Sequence, residues 1–202
     1  MRDSTGFIAA TFTKYLTDKA LVSQQHVLEL TEDLVIKEFE KGATVLSEGQ
    51  ICHHVFFVES GLLRLFSIDD DGKEHVLQFA PENWFISDRG SVFFNQPSHF
   101  FIDCVEDSRV VLLDQAFFER ASNLSPEFRN YNEYLLQNHI RHLQNRIDLL
   151  IGAQAEKRYL DFVHLYPDVL MRVPQWMVAS YLGITPESLS RVRKELAKRN
   201  SK

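Results

Sequence analysis

From Val173 to Leu196 the chain reads V-P-Q-W-M-V-A-S-Y-L-G-I-T-P-E-S-L-S-R-V-R-K-E-L. No other stretch restricts the fold as much, because the requirements of two helices joined by a tight turn are met here in register. Ala179 is small where the two helices must approach closely. Gly183, four residues later, stands where the turn needs a backbone that tolerates positive φ. Thr185 suits the cap of the second helix, and Pro186 falls in its first turn, where no amide donor is missed. Leu189, Val192 and Leu196 then recur at helical spacing and form one apolar face. The opposite face carries Glu187, Arg191, Lys194 and Lys198. This is the spacing of a helix-turn-helix, and a helix with such a back and front can lie in a major groove. An ordinary amphipathic helix pair with a solvated basic face shares the apolar spacing. The small residue, turn glycine, cap and cationic front together favour the DNA reading.

The charge distribution agrees. The whole chain carries −6, which by itself argues against a nucleic-acid partner. Residues 153–202, however, hold 9 Lys+Arg against 5 Asp+Glu, whereas residues 1–152 hold 13 against 23. An acidic body with a basic end is expected to present only the end to phosphates. The acidic body would limit indiscriminate coating of DNA. The 45% hydrophobic content supplies a sizeable core, as one large domain or two modest ones. No apolar run approaches the ~20 residues of a membrane span. The opening M-R-D-S-T-G-F-I-A-A-T-F-T-K lacks the apolar stretch of a secretion signal, so a cytoplasmic location is expected. Cys52 and Cys104 are expected as small apolar residues in a reducing compartment. Two cysteines cannot supply the four thiolates usual for an iron–sulfur cluster.

Residues 1 to about 32 read as helical, with His26–Leu30 in a short amphipathic segment. From Leu34 to Leu113, short runs rich in Val, Ile and Phe are separated by turn residues: V-F-F-V (55–58), L-L-R-L-F-S-I (62–68), H-V-L-Q-F (75–79) and R-V-V-L-L (109–113). Gly42, Gly49, Gly61 and Gly72 punctuate them, and D-D-D-G (69–72) signals a hairpin. Such spacing predicts a β-sandwich or barrel rather than a βαβ sheet. From Pro126 to about Leu150 a single long helix is predicted. Leu136, Ile140, Leu143, Ile147 and Leu150 recur along it as a heptad seam, which favours pairing with another helix. Leu135, Leu149 and Ile151 widen the apolar surface, so one stripe can face the chain's own body and another a second subunit. A homodimer is expected, since helix-turn-helix proteins commonly read two half-sites. Gly152 and Ala153 mark a hinge, followed by a helix over about 154–166. There is no internal repeat and no low-complexity tract.

A β-rich domain, a long helix and a C-terminal helix-turn-helix, in this order and with these residues, resemble the Crp/Fnr superfamily of bacterial transcription regulators. The likeness runs over roughly residues 20–200. It is closest in F-E-K-G-A-T-V-L-S-E-G-Q (39–50) with F-F-V-E-S-G-L-L-R-L-F (56–66), and in A-S-Y-L-G-I-T-P-E-S-L-S-R (179–191). The resemblance implies an α+β chain. Residues 1–125 would form a cyclic-nucleotide-binding-like β-roll of jelly-roll type, 126–152 a dimerisation helix and hinge, and 153–202 the DNA-binding domain. It implies a sequence-specific homodimeric transcription regulator whose β-roll senses a small molecule. The implied partners are double-stranded DNA, a second copy of the chain, a small-molecule effector and RNA polymerase, with no membrane and no enzymatic activity. In the family's R-E-T-x-x-R pattern the glutamate and arginine reach bases. Here the pattern reads P-E-S-L-S-R, which assigns those roles to Glu187 and Arg191. Arg grips guanine O6/N7 and Glu accepts from cytosine N4. Thr185, Ser188, Ser190, Lys194 and Lys198 are the remaining candidates for contact, chiefly to phosphate. Because the given sequence ends about six residues past Leu196, the β-hairpin wing of many relatives is expected to be reduced or absent. Trp176 and Met177, where relatives carry polar residues, are expected to pack the smaller domain.

Cyclic-nucleotide binders of the family hold the phosphate with a G-E-L turn and an R-S-A run, a backbone cradle plus one arginine. Those positions here become I-S-D (86–88) and S-H-F (98–100), so glycine, glutamate and arginine are all missing. Binding of cAMP or cGMP is therefore not expected, and no cofactor is identified. Arg89 and Arg64 are the nearest substitutes for the lost guanidinium. Trp84, Phe85, Phe93, Phe94, Phe100 and Phe101 make the region aromatic. Rings that simply fill the roll account for this most plainly, and the alternative is a pocket for an apolar or aromatic ligand. Arg64, Trp84, Phe85, Arg89, His99 and Phe101 are the candidate effector pocket.

Rival readings follow from the same residues. The chain could bind DNA constitutively, with the β-roll only a dimer scaffold. A metal-binding cupin enzyme also has a β-roll, and His53, His54, His75 and His99 fall in this region. The adjacent His53 and His54 would point to opposite faces of a strand, which suits one metal poorly. No G-x-S-x-G elbow, P-loop or H-E-x-x-H is present. Neither catalytic nor metal-ligating residues are assigned.

Overall fold

The computed structural model describes residues 9–200, with Asn200 described by its backbone alone. The expected helical content at residues 1–8 lies outside the described residues. The chain divides into two compact units. One runs to Ser67 and resumes over Gln78–Gln137; the other joins Ile68–Leu77 to the chain from Asn138 onward.

The first unit opens with two helices, α1 (Ala10–Asp18) and α2 (Gln24–Thr31). They are separate because Leu21 takes a left-handed conformation with φ 55° and Ser23 caps α2, accepting from the His26 amide. Eight strands follow: β1 (Val35–Phe39), β2 (Thr44–Leu46), β3 (Val55–Ser60), β4 (Leu63–Ile68), β5 (Glu74–Ala80), β6 (Phe85–Ile86), β7 (Phe101–Cys104) and β8 (Ser108–Leu113). They form two antiparallel sheets, ordered β1-β8-β3-β6 and β2-β7-β4-β5. The expected sandwich is present, and the four apolar runs read from the sequence correspond to β3, β4, β5 and β8. The D-D-D-G segment turns β4 into β5, with the Gly72 amide donating to the Asp69 carbonyl. Gly61 is forced between β3 and β4: its φ is +93°, and a Cβ there would collide with Ser108 and the Asp107 carbonyl.

Five consecutive residues of β3, Val55–Glu59, are buried, and all but Glu59 are hydrophobic, so this strand is covered on both faces. Phe57 packs against the rings of Phe12 and Tyr15 on α1 and of Phe85, inside a core completed by Leu16, Leu30, Leu113 and Phe117. Phe117 belongs to α4 (Gln115–Leu124). Helix α1 has no side-chain cap of its own, because Ala9 stands at that position. Instead the buried Glu59 carboxylate, from the end of β3, accepts from the Phe12 amide at 2.6 Å. An anion at a helix N-terminus satisfies an orphan donor and meets the positive end of the dipole. A short α3 (Arg89–Phe94) lies between β6 and β7, capped by Asp88.

The long α5 (Pro126–Gly152) begins in the first unit and continues in the second. The second unit adds α6 (Ala155–Leu165), a single 3-10 turn (Val169–Met171), α7 (Gln175–Leu182) and α8 (Pro186–Asn200). Its core is aromatic. Phe162, Tyr166 and Tyr181 enclose one another at centroid distances of 5.2, 5.3 and 5.6 Å, with Val178, Ala179, Leu182 and Leu189 buried beside them. Trp176, in the first turn of α7, is 41% exposed. Met177 is half-buried. The two residues expected to pack the domain are thus only partly covered. Helix α8 continues to Asn200, and no strand follows it among the described residues.

Candidate nucleic-acid interface

The α7–α8 pair takes the geometry the spacing predicts. Gly183 ends α7 in the left-handed conformation at φ 65°. The Gly183 amide donates to the Ser180 carbonyl and the Ile184 amide to the Ala179 carbonyl, each at 3.0 Å. A Cβ at Gly183 would lie 3.3 Å from a Leu150 methyl, so small size and positive φ are both required. Thr185 caps α8, its hydroxyl accepting from the Ser188 amide at 3.2 Å and donating to the Ser188 hydroxyl. Ala179 and Leu189 are fully buried at the helix crossing.

Thr185, Glu187, Ser190, Arg191, Lys194 and Lys198 are all exposed on α8 or at its cap. Ser188 is half-buried, and its hydroxyl accepts from Thr185, so it supports the cap. The Glu187 carboxyl is held below the usual carboxylate range by its own amide at the helix start, and then by Thr185. It is therefore an acceptor only at neutral pH, as a contact to cytosine N4 requires. Arg199 is drawn aside into an ion pair with Glu156 of α6 at 2.7 Å.

Two arginines complete the far end of α7, and neither was singled out from the sequence. Arg146 of α5 donates to the Tyr181 carbonyl at 3.0 Å, and Arg158 of α6 donates to the Leu182 carbonyl at 2.8 Å. With the two turn hydrogen bonds they satisfy the last four carbonyls of α7 and place cations at its negative end. No local pattern marks these residues, because the helix they cap is distant in sequence.

The seam on α5 is open. Ile140, Leu143, Ile147 and Leu150 are exposed, Ile147 at 56%, while Leu136 is half-buried. Ile151 beside them is 83% exposed. In a helix this pattern leaves an apolar stripe without cover.

The six candidate effector residues fall into separate environments rather than one pocket. Arg64 is committed: its guanidinium makes a bidentate pair with Asp103 at 2.8 and 2.7 Å and lies 4.1 Å over the Phe66 ring. Phe101 stacks on the same Phe66. Phe85 belongs instead to the α1 core with Tyr15 and Phe57. Arg89 lies over Phe93, Trp84 is half-buried and His99 is exposed. Among the other aromatic residues of this stretch, Phe94 is 74% exposed. Asp103, unremarked in the sequence, stands opposite Arg64 in the β4–β7 ladder and neutralises it.

The residues at the two phosphate-binding motif positions are hydrogen-bonded to each other. Asp88, where the I-S-D segment ends, is buried, and its carboxylate accepts from the Ser91 amide at 3.2 Å and the Ser98 hydroxyl at 2.9 Å. Ser98 opens the S-H-F segment. A carboxylate thus already engages both motif positions, and a second anion beside it would meet like charge. Burial raises the Cys52 thiol and pushes Cys104 up to about 11, so both stay protonated and inert. His53 and His54 lie outside any strand, and His75 pairs with Asp69 at 2.7 Å. Among the described residues no three His, Cys, Asp or Glu side chains are grouped as a metal site, and no helix is long and apolar enough to cross a membrane.

Residues 36–123 match the cyclic nucleotide-binding domain family. Over 173 residues the chain is 22% identical to the anaerobic regulatory protein of Pasteurella multocida, covering 80% of this chain and 63% of that protein. It thus spans less than two thirds of the length of that relative. It is also 22% identical to the fumarate and nitrate reduction regulatory protein of Vibrio cholerae, over 77% of this chain and 66% of that one. Among solved structures, FixK2 from Bradyrhizobium japonicum superposes with a TM-score of 0.70 at 17% identity, covering 83% of this chain and 86% of that chain. A CooA mutant from Carboxydothermus hydrogenoformans gives 0.71 at 18% identity, covering 98% and 87%. These likenesses share the arrangement of an antiparallel β-sandwich followed by a helical C-terminal region.

Proposed function

We propose, from the premise that the chain belongs to the Crp/Fnr superfamily, that it is a DNA-binding transcription regulator working as a homodimer. The observation that carries this is the second helix of the α7–α8 pair. Its back is buried through Leu189, its N-terminus is capped by Thr185, and Glu187, Ser190, Arg191, Lys194 and Lys198 are exposed at the front. Arg191 reads guanine and Glu187 an opposed cytosine, while Lys194, Lys198, Thr185 and Ser190 hold phosphates. The open Ile140–Leu143–Ile147–Leu150 stripe of α5 pairs with its copy, giving two recognition helices for a palindrome with half-sites ~34 Å apart.

The β-sandwich, in this reading, senses a small molecule other than a cyclic nucleotide. A second reading has the β-sandwich as scaffold alone. The self-satisfied Asp88–Ser98 and Arg64–Asp103 pairs favour it, because both sets of charged groups are already paired within the chain. Interaction with RNA polymerase, a cytoplasmic location and the lack of an enzymatic role belong to the same proposal.

Selection of bound duplexes from a random pool, with and without cell metabolites, tests these readings. A palindromic consensus supports the regulator, and metabolite dependence separates sensor from scaffold, since a molecule that favours neither form shifts nothing. A monomer that enriches no sequence at moderate ionic strength overturns the proposal.

A further inference from the structure

We infer that Arg146 and Ser180 are positioning residues for operator recognition: together they lock α7 to the long helix and to the β4–β5 hairpin, and so set the spacing between the two recognition helices. This rests on the dimeric DNA-binding reading above.

The hinge itself holds little. Only Ala153 and Gln154 separate α5 from α6, and a Cβ added at Gly152 would meet nothing within 4 Å. A cleft of about 590 Å³, lined by Asp148, Gly152, Glu156, Lys157 and Leu160 among others, opens beside it. Order in the α7–α8 pair must therefore come from contacts made elsewhere in the same unit.

Those contacts converge on the hairpin Ile68–Leu77, which packs in one compact unit with α6, α7 and α8. Strand β5 is an edge strand, so its outward backbone groups lack a strand partner. The Ser180 hydroxyl accepts from the Val76 amide at 2.9 Å and donates to the Glu74 carbonyl at 2.8 Å, acting as a one-residue substitute for that partner. The Arg146 guanidinium donates to the Val76 carbonyl at 3.2 Å and to the Tyr181 carbonyl at 3.0 Å, with its carbon 3.6 Å from the centre of the Tyr181 ring. One side chain on α5 thus grips both the strand edge and the end of α7. Arg146 adjoins Ile147, which stands on the exposed stripe assigned to the partner. The lock therefore connects the dimer axis to the recognition helix through a handful of atoms, while the reading face of α8 stays free. A small rotation at an unlocked hinge would change the half-site separation; the lock selects one separation by removing that freedom.

The test uses the full chain and the operator obtained by selection. Affinity is measured for the selected spacing and for spacers one base pair longer and shorter, in wild type, Ser180→Ala and Arg146→Gln. Wild type is expected to lose about tenfold in affinity on a one-base-pair change, a difference of ~1.4 kcal/mol. Both variants should reduce that penalty to below about threefold while binding an isolated half-site as wild type does. Hydrogen exchange at the Val76 amide should accelerate in Ser180→Ala. A purely structural role would instead weaken every duplex alike and leave the spacing penalty in place. If Arg146→Gln fails to fold, Ser180→Ala, which removes one hydroxyl from a helix that tolerates alanine, carries the test alone. A full wild-type spacing penalty in Ser180→Ala despite a faster Val76 amide overturns the inference. Failure of the wild-type protein to select any palindrome is a different result, and sinks the DNA-binding dimer itself.

Discussion

The Arg146 guanidinium lies 3.6 Å from the centre of the Tyr181 ring and donates to the carbonyl of the same residue, so a single tyrosine receives it by face and by backbone. The pair joins the long helix to the first helix of the helix-turn-helix. Burial raises the Tyr181 hydroxyl above the usual phenol range, which keeps the ring neutral. The cation–π contact is thus present throughout the physiological pH range.

Base reading and phosphate binding should separate by mutation. Arg191→Ala is expected to cost about 1–3 kcal/mol on the selected operator and to relax preference at one base pair in each half-site. Lys198→Ala should weaken all duplexes alike and reduce the salt slope by about one. Titrations of both variants against matched and mismatched duplexes at several salt concentrations check this, and an unchanged consensus for Arg191→Ala would remove it from base reading.

The stripe on α5 predicts a monomer on demand. If the stripe pairs with its copy as proposed, Ile147→Glu places like charges opposite one another across the seam and should convert the proposed dimer to monomer in sedimentation equilibrium. The folded monomer should keep its far-ultraviolet circular dichroism. A variant that sediments as a dimer shows that the stripe is not the interface.

Gly183→Val combines a left-handed backbone with a crowded side chain. The conformation alone costs about 1–2 kcal/mol for an L-residue, and contact with Leu150 adds to it. Urea denaturation should register the loss. A wild-type midpoint would show that the turn relaxes without cost.

Cyclic AMP and cyclic GMP should give no heat in titration calorimetry with wild-type protein, since Asp88 and Ser98 satisfy each other and Arg64 is held by Asp103. Saturable micromolar binding of either nucleotide would contradict that reading of the site.

Acid should loosen the protein through His142. Burial, and then the neighbouring Arg146, lowers its pKa below the ordinary ~6.5, with Asp161 opposing and Arg141 reinforcing the effect. The unfolded chain therefore binds this proton more readily than the folded one. The contribution is fully present above the ordinary value and is lost as the pH falls toward and through the lower folded value. His142→Gln should flatten that part of the stability profile. An unchanged slope between wild type and variant would assign it to other groups.

Much of the fold could be read before the structure. The apolar runs became β3, β4, β5 and β8, and the long helix came out as Pro126–Gly152. Those features are local: strand and helix periodicity, turn glycines and caps are written in adjacent residues. The helical stretch expected to reach about residue 32 was broken at Leu21, a left-handed leucine that no propensity flags.

The sequence by itself determined the α7–α8 geometry and the residues exposed on the front of α8, because Ala179, Gly183, Thr185 and Leu189 impose that geometry over short range. Only the tertiary structure decided what the charged residues do elsewhere. Glu59 caps a helix 47 positions away, and Asp103 takes Arg64 from 39 positions away. Arg146 and Ser180 close on the β5 edge from 70 and 104 positions away. A hydrogen bond is directional and short, so its partner is set by where the packed chain brings two atoms together, and no spacing along the sequence records that.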